Sequence, residues 1–579
     1  MSADWIFHSG RIFDGQRVHP TATAVAVTDG RITALGTDAE VRGSAGTAAE
    51  TVDLDGRLLT PGFTDAHVHA VYGGVERLGC DLSNISGLDA VLACIAIYAE
   101  STEKPWVTGG GWHKADFPGG YPTRELLDRI VPDRPVYLIN ADHHSAWVNT
   151  RALELAGMDA TTPDPADGWI ERGTDGFPTG TLHEGAMDLV NRLLPPLTDE
   201  DLCGGLLEAQ RYLHSVGVTG WQEAILGSYA GYPDASSAYR TLAGRGLLTG
   251  RATGALWVPR TTTSDNIAEL VADFEERRRA NGAAGFVTTS AKIMVDGVPE
   301  NRTAAMLDPY LRPCRCGNAG GSVGSGGSGD GASHAAADQD ADGDDRGLLY
   351  LPKDVLTDVA TALDAAGFDL HLHVIGDRAV RDGLDAVEHA RRSNPHTRGR
   401  HHMAHLQIIH PDDIARFAAL DVTVNAQALW ACNDDQMLEL TVPLIGAERA
   451  AWQYPFGSLL AAGAVMAMGS DWPVSTPDPW QAIHVAVNRT YPAYPDAPPL
   501  LPEQAVSLQT ALSSYTAGSA WLNRNDDGGA VAVGKPADLV VLNADPFRLD
   551  PGELHTVGTD FTMIAGVPVY ARQPQEAKA

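Results

Sequence analysis

The chemistry of this chain concentrates first at Pro61-Gly62-Phe63-Thr64-Asp65-Ala66-His67-Val68-His69. The run reads as a short strand ending in two histidines two residues apart. Alternate side chains of a strand share a face, so the imidazoles of His67 and His69 point the same way. Two neutral imidazoles converging from one strand end suit a divalent metal such as zinc. Histidines also sit in cores, satisfied by hydrogen bonds, so this pair taken alone supports either role.

Four more polar residues raise the same question. Lys292 lies in the apolar run of AKIMVDGVPENRTAAM, and a lysine inside a buried strand is expensive unless neutralised or paired. His373 lies in HLHVIGDRAV, His405 in HHMAHLQ and Asp471 in AMGSDWPV. The elements that carry them alternate strand-like apolar runs with amphipathic helical stretches, which is the pattern of a parallel α/β fold. Eight strands are predicted, at 58–69, 217–224, 251–258, 287–297, 368–377, 400–407, 422–427 and 465–474. Helical segments at 199–215, 266–280, 352–366, 378–392 and 411–419 lie between them. Eight strand–helix units fit a (β/α)8 TIM barrel, and each polar residue then falls where a strand meets the catalytic face. An open doubly wound sheet is the competitor, but no G-x-G-x-x-G follows a strand, so a dinucleotide site is unsupported.

The two ends of the chain have a different character. Short β-like runs with Asp29-Gly30, Asp55-Gly56 and Ala565-Gly566 turns occupy both termini. They predict a small β-sandwich domain composed of 1–57 and 525–579, around a barrel spanning 58–524. An insertion at 73–213 follows the first strand and should form a lid or pocket wall, because loops after barrel strands cover the active face. A second insertion, 314–346, is Gly/Ser/Asp-rich and reads as flexible. Cys314-x-Cys316 with His334 has no second cysteine pair, so an unstructured loop is the simpler reading of it.

The chain's 579 residues suffice for a large core plus a smaller unit. Acidic residues outnumber basic ones by 74 to 42, a formal charge of -32. Such a surface repels nucleic acid and anionic membranes, and neither is expected as a partner. Six scattered cysteines do not make a disulfide framework, and the N-terminal MSADWIFHSG lacks the pattern of a secretory signal. A cytoplasmic protein is expected, acting on a small molecule, with homo-oligomerisation open. The longest apolar stretches are too short to span a bilayer.

The motifs TPGFTDAHVHA, GWHKADFPGGYPTRELLD, DHHSAWVNTRAL, HVIGDRAV, AHLQIIHPDD, GSDWPV and KPADLVVLNADPF together resemble the metal-dependent amidohydrolase superfamily. More narrowly they are similar to the branch that includes N-substituted formamide deformylase. The resemblance covers nearly the whole length. It implies a (β/α)8 barrel with a β-sandwich from both termini, and one or two divalent ions, zinc above all. By it His67 and His69 are metal ligands, as are His373, His405 and Asp471. Lys292 matches a strand-four lysine whose amine is carbamylated and bridges two metals.

Neighbouring residues carry alternatives. His371 shares a face with His373 and is a rival ligand, though the family pattern favours His373. His401 is expected on the face of His405, and His402 toward the outer helices. In the insertion, His144 could bond the substrate carbonyl, with loop packing equally open for it and for His143. Trp112 is a candidate substrate wall and Arg302 a candidate contact, each against a plain structural role. The reaction implied is hydrolysis of a non-peptide C–N bond, in an amide, formamide or cyclic amide, with Asp471 as proton shuttle. A lyase, deaminase or isomerase on the same scaffold is the alternative, because fold does not set reaction. A metal-free binding protein is a third, opposed by the presence of all six candidate ligands.

Overall fold

The computed structural model describes residues 3–45, 50–83, 85–165, 168–229, 232–311, 345–494 and 497–572. Its centre is an eight-stranded sheet whose neighbours all run parallel, in chain order: Phe63–Val68, Val218–Leu226, Arg251–Trp257, Val287–Met294, Asp369–Val374, His402–His405, Thr423–Ala426 and Met466–Met468. Backbone hydrogen bonds from Asp471 N to His67 O and from His69 N to Trp472 O, both 2.8 Å, join the last segment to the first and close the barrel. Barrel strands are covered on both faces, and Val218–Leu226 is buried at every residue, Thr219, Gln222 and Glu223 included. Outer helices follow the strands. Asp377–Ser393 turns Ala379, Val380, Leu384, Val387 and Ala390 inward. Asp199–Ser215 is started by a capping box in which Asp201 N donates to Thr198 Oγ1 at 3.2 Å and Thr198 N donates to Asp201 Oδ2 at 2.8 Å. Among the described residues no helix is long and apolar enough to cross a membrane.

The first predicted strand is two strands. Leu58–Pro61 pairs antiparallel with Leu539–Leu542, outside the barrel, while Phe63–Val68 pairs with Val218–Leu226 inside it. The break falls at Gly62, where a β-carbon would lie 2.1 Å from Thr219 Oγ1, so only glycine lets the chain cross between sheets. Outside the barrel, a four-stranded sheet runs Arg31–Gly36, Ala24–Thr28, Trp5–His8, Glu50–Asp53. A five-stranded sheet runs Arg11–Ile12, Leu58–Pro61, Leu539–Leu542, Thr559–Ile564, Val567–Ala571, and so draws on both ends of the chain. Phe7, Val27, Leu59, Leu539, Val541 and Met563 from the two sheets share one buried cluster. We propose that these sheets are the composite domain expected over 1–57 and 525–579.

The insertion after the first barrel strand is a layer with its own core rather than a loop. Its mixed six-stranded sheet is ordered Gly168–Arg172, Pro178–Glu184, Ser145–Val148, Val136–Asn140, Val107–Trp112, Cys80–Asp81. Trp112, Phe117, Trp147, Leu138, Val91 and Ile95 fill that core. The end of the expected span 73–213 belongs instead to the barrel, since helix Asp199–Ser215 packs on helix Ala70–Arg77. Gly74 and Gly205 set the contact: a β-carbon on Gly74 would meet Gly205 O at 1.8 Å. The Gly/Ser/Asp-rich stretch, with Cys314, Cys316 and His334, lies outside the described residues except at its end, Asp345 and Arg346.

Candidate active site

Strands one and eight bring three ligand-type groups together at one barrel mouth. Asp471 Oδ1 lies 3.1 Å from His67 Nε2 and 3.2 Å from His69 Nε2. Ligand atoms of these three residues all fall within 4.8 Å of one another. Asp471 takes a left-handed backbone (φ 58°), which turns its carboxylate toward the mouth. Gly469 allows the close approach of the two strands, since a β-carbon there would sit 2.5 Å from His67 N. Asp65 holds the junction: it accepts from Ser470 N at 3.0 Å, Ser470 Oγ at 2.6 Å and His67 N at 3.0 Å. Burial pushes the Asp65 carboxyl up to about 7, against the pull of these bonds.

The other candidates join the same cluster. Lys292 Nζ lies 3.4 Å from His67 Nε2. His405 Nδ1 lies 3.9 Å from Asp471 Oδ2, the His373 and His405 rings are 4.3 Å apart, and Trp430 stacks on His405 at 5.2 Å. Strand register puts Lys292 level with His371, and Met294 level with His373. Burial lowers every one of these imidazoles, His67 to about 3, and brings the Lys292 amine down to about 7. Burial pushes the other way on Asp471, yet the charges and hydrogen bonds of His67 and His69 hold its carboxyl well below the usual range. The donor set is therefore neutral imidazoles, an amine and a carboxylate. His69 Nδ1, His373 Nε2 and His405 Nδ1 are buried with no hydrogen-bond partner among the described residues. Leaving such groups unsatisfied costs about 1–3 kcal/mol each. The set fits a divalent cation, whose ligands must be deprotonated.

Several expectations need correction. His371 is not at the mouth: its Nε2 bonds His67 Nδ1 at 2.8 Å from below, and it lines neither cavity of the site. His401 and His402 exchange their expected places. His401 Nε2 meets Asp364 on an outer helix at 3.1 Å, while His402 Nε2 meets Gln222 at 3.3 Å and its ring lies 4.4 Å from His371. The cause is His405, whose φ of 75° breaks the two-residue alternation and returns its own side chain to the interior. Trp112 is no substrate wall. It is fully buried in the insertion core, donates Nε1–H to Leu138 O at 2.9 Å, and meets Phe117 edge-on. Arg302 is no substrate contact either, since it pairs with Asp345 at 2.5 Å and lies over Tyr310.

A cavity of about 570 Å3 opens beside the cluster, reached by His373, Asp471 and, from the insertion, His144. A narrower recess of about 40 Å3 holds His67, His69, Lys292, His405 and His143. His144 Nδ1 is 2.7 Å from Glu184 Oε1, and His143 Nε2 is 3.4 Å from Glu76 Oε1. Burial lowers both histidines, but these carboxylates more than reverse it and raise them above the ordinary value. Lys114 ties the insertion to the strand-four loop, through Asp142 at 2.7 Å and Asn301 at 2.8 Å. Sequence reasoning missed Glu76, Glu184 and Asp296. Asp296 accepts from Ala305 N, Ile375 N and Gly376 N at 2.9, 3.0 and 2.8 Å and lies 4.0 Å from His373 Nε2. Its place directly after the strand bearing Lys292 was the available signal; Glu76, on helix Ala70–Arg77, and Glu184, in the insertion's sheet, had none, because the insertion's fold is what sets His143 and His144 beside them.

A barrel whose strand ends gather histidines and an aspartate around one cavity defines a metal-dependent hydrolase scaffold. The chain belongs to the amidohydrolase family, whose sequence pattern matches residues 50–570, and it is a hydrolase by that membership. It is 29% identical over 578 residues to N-substituted formamide deformylase of Arthrobacter pascens, covering 95% of each chain. It is 28% identical over 573 residues to the protein YtcJ of Bacillus subtilis (strain 168), covering 98% of this chain and 99% of that one. Among solved structures, an uncharacterized metal-dependent hydrolase from Pyrococcus horikoshii shares the fold, with TM-score 0.67, 22% identity and coverage of 95% and 99%.

Proposed function

We propose that this protein hydrolyses a non-peptide C–N bond, in an amide, formamide or cyclic amide, with metal-activated water. The observation that carries the reading is the convergence of His67, His69 and Asp471 within 4.8 Å, beside Lys292, His373 and His405. These six residues would hold one or two divalent ions, zinc by their chemistry. Such an ion supplies Lewis acidity, lowering the pKa of water from 15.7 toward ~7 and polarising a carbonyl oxygen. Asp471, an ionised carboxylate, takes a proton from the attacking water and returns it to the leaving nitrogen as the C–N bond breaks. His144, kept a donor by Glu184, points a hydrogen bond at the carbonyl oxygen from the opposite wall. Lys292 follows the resemblance to a carbamylated lysine: burial favours the neutral amine, whose lone pair attacks carbon dioxide with loss of a proton, and the carbamate so formed would offer two anionic oxygens to the metal site. Similarity to the Arthrobacter pascens deformylase makes N-substituted formamides the first substrates to try.

The test is to assay zinc-loaded protein against N-substituted formamides, N-acyl amino acids and cyclic amides. Amine and carboxylate in equal amounts are expected from at least one class. Release of carbon dioxide, or no cleavage in any class by protein of verified metal content, would overturn the reading.

A further inference from the structure

The large cavity is unusually acidic, and its raised histidine, His144, is paired with Glu184. Seven carboxyl groups line it, and no lysine or arginine does among the described residues. Three are accounted for. Asp142 is paired with Lys114, Asp471 belongs to the metal-ligand cluster, and Asp478 caps helix Pro479–Asn488 by accepting from Trp480 N at 3.0 Å. Asp116, Glu300, Asp434 and Asp435 remain, with no ion pair among the described residues. A chain with a formal charge of -32 has acidic residues over its whole surface, and there water solvates them. This group differs in being gathered from three elements into one cavity: Asp116 from the insertion, Glu300 after strand four, and Asp434 with Asp435 after strand seven. Burial, then Glu300 and Asp435, push the Asp434 carboxyl up to about 6, although Met437 N donates to it at 2.7 Å. Thr441 donates to Glu300 and fixes that carboxylate too.

A second observation points to an occupant. Tyr454 is 2% exposed and lines the cavity, and its hydroxyl makes no hydrogen bond among the described residues. Glu300 and Asp434 are near enough that, after burial, their charges push its phenol upward. Tyr491 and Tyr494 line the same space with a ring separation of 5.8 Å. Carboxylates together with tyrosine rings and a free hydroxyl make a cation site: the oxygens accept N–H bonds, and the ring faces attract positive charge.

Resting on the hydrolase reading above, we propose that the substrate carries an ammonium group besides its scissile C–N bond, and that Glu300, Asp434, Asp435 and Tyr454 hold it. The subsite would select substrates by charge within the cavity that reaches His373 and Asp471.

Two arms test this on the full chain. In the first, calorimetry at pH 7 compares benzylammonium, which is protonated there and so has no lone pair for a metal, with neutral benzyl alcohol. The cation is expected to bind about tenfold more tightly, with the gap closing in 0.5 M salt and in Glu300→Gln/Asp434→Asn. Equal binding of cation and alcohol by the unaltered protein overturns the proposal, and that comparison needs no variant to fold. Unchanged cation binding in the folded double variant, or in Asp435→Asn, also overturns the assignment to these residues. In the second arm, mono-N-formyl diamines are compared with N-formyl alkylamines of equal length. A higher kcat/KM for the diamines is expected, and parity overturns the proposal. Cation binding without hydrolysis of any amide would remove the reaction reading and leave the subsite standing, so the two failures are distinguishable.

Discussion

Histidines face the cavity from two sides, and the two sets are tuned in opposite directions. Those from the barrel strands, His67, His69, His373 and His405, are held neutral by burial among one another. Those from the insertion, His143 and His144, each have a carboxylate partner, Glu76 or Glu184, which keeps them proton donors. Burial acts in the same direction on both sides: for His67 and His69 it and the Lys292 charge outweigh Asp471, whereas for His143 and His144 the charges of Glu76 and Glu184 outweigh it. On the proposed reading, the barrel mouth would offer lone pairs to a cation, whereas the insertion would offer N–H bonds to a substrate. Hydrolysis of an amide needs both an activated water and a stabilised carbonyl oxygen, so the proposed function would draw on both halves.

The comparison can be broken at its strongest point first. Asp471→Asn is expected to lower kcat by about 10^3-fold or more, checked by steady-state turnover with metal content measured in parallel. Near-normal turnover with metal still bound would remove the proton-shuttle role. Stripping the metal should abolish activity and lower the melting temperature, with zinc restoring both. At a hundredfold excess over Kd a ligand adds about 2.7 kcal/mol of stability, and a melting temperature indifferent to chelator would contradict the barrel-side assignment.

Glu184→Gln sharpens the other half. Loss of the Glu184 charge should reduce kcat/KM by roughly 10–100-fold and move the basic limb of the pH profile to lower pH. The pair also has a signature in stability. His144 is raised above its ordinary 6.5 in the folded protein, so its contribution is complete below that value and fades as pH rises through the folded one. The melting-temperature gap between the protein and Glu184→Gln should therefore be wider at pH 6 than at pH 9, and a gap that grows with pH would reverse the assignment. The smallest effect on function belongs to Trp112→Phe. It should cost about 1–3 kcal/mol of stability by denaturant unfolding and leave KM unchanged, because Trp112 packs the insertion core away from the cavity.

Much of this was legible before folding. The eight barrel strands follow from apolar runs, and the Asp29-Gly30 turn from two residues that tolerate positive φ, 51° and 73°. His67, His69, Lys292, His373, His405 and Asp471 stood out as polar residues in or at the ends of apolar strands. The misplaced residues fail for identifiable reasons. His401 and His402 were assigned by strict alternation, which His405 interrupts with its left-handed backbone. Trp112 and Arg302 were assigned by nearness in sequence to the active face, and their partners Leu138, Phe117, Asp345 and Tyr310 took them elsewhere.

Local pattern alone settled the barrel's strands and the helices between them, though not the break at Gly62 or the insertion's sheet, and it settled which polar residues sit where the barrel strands end, because periodicity and turn chemistry act within a few neighbours. Tertiary structure decided which carboxylate meets which histidine. Glu76, Glu184 and Asp296 acquire their roles across 67, 40 and 77 positions of chain from His143, His144 and His373. Electrostatic tuning depends on distance in space and on burial, and neither is written in the order of residues.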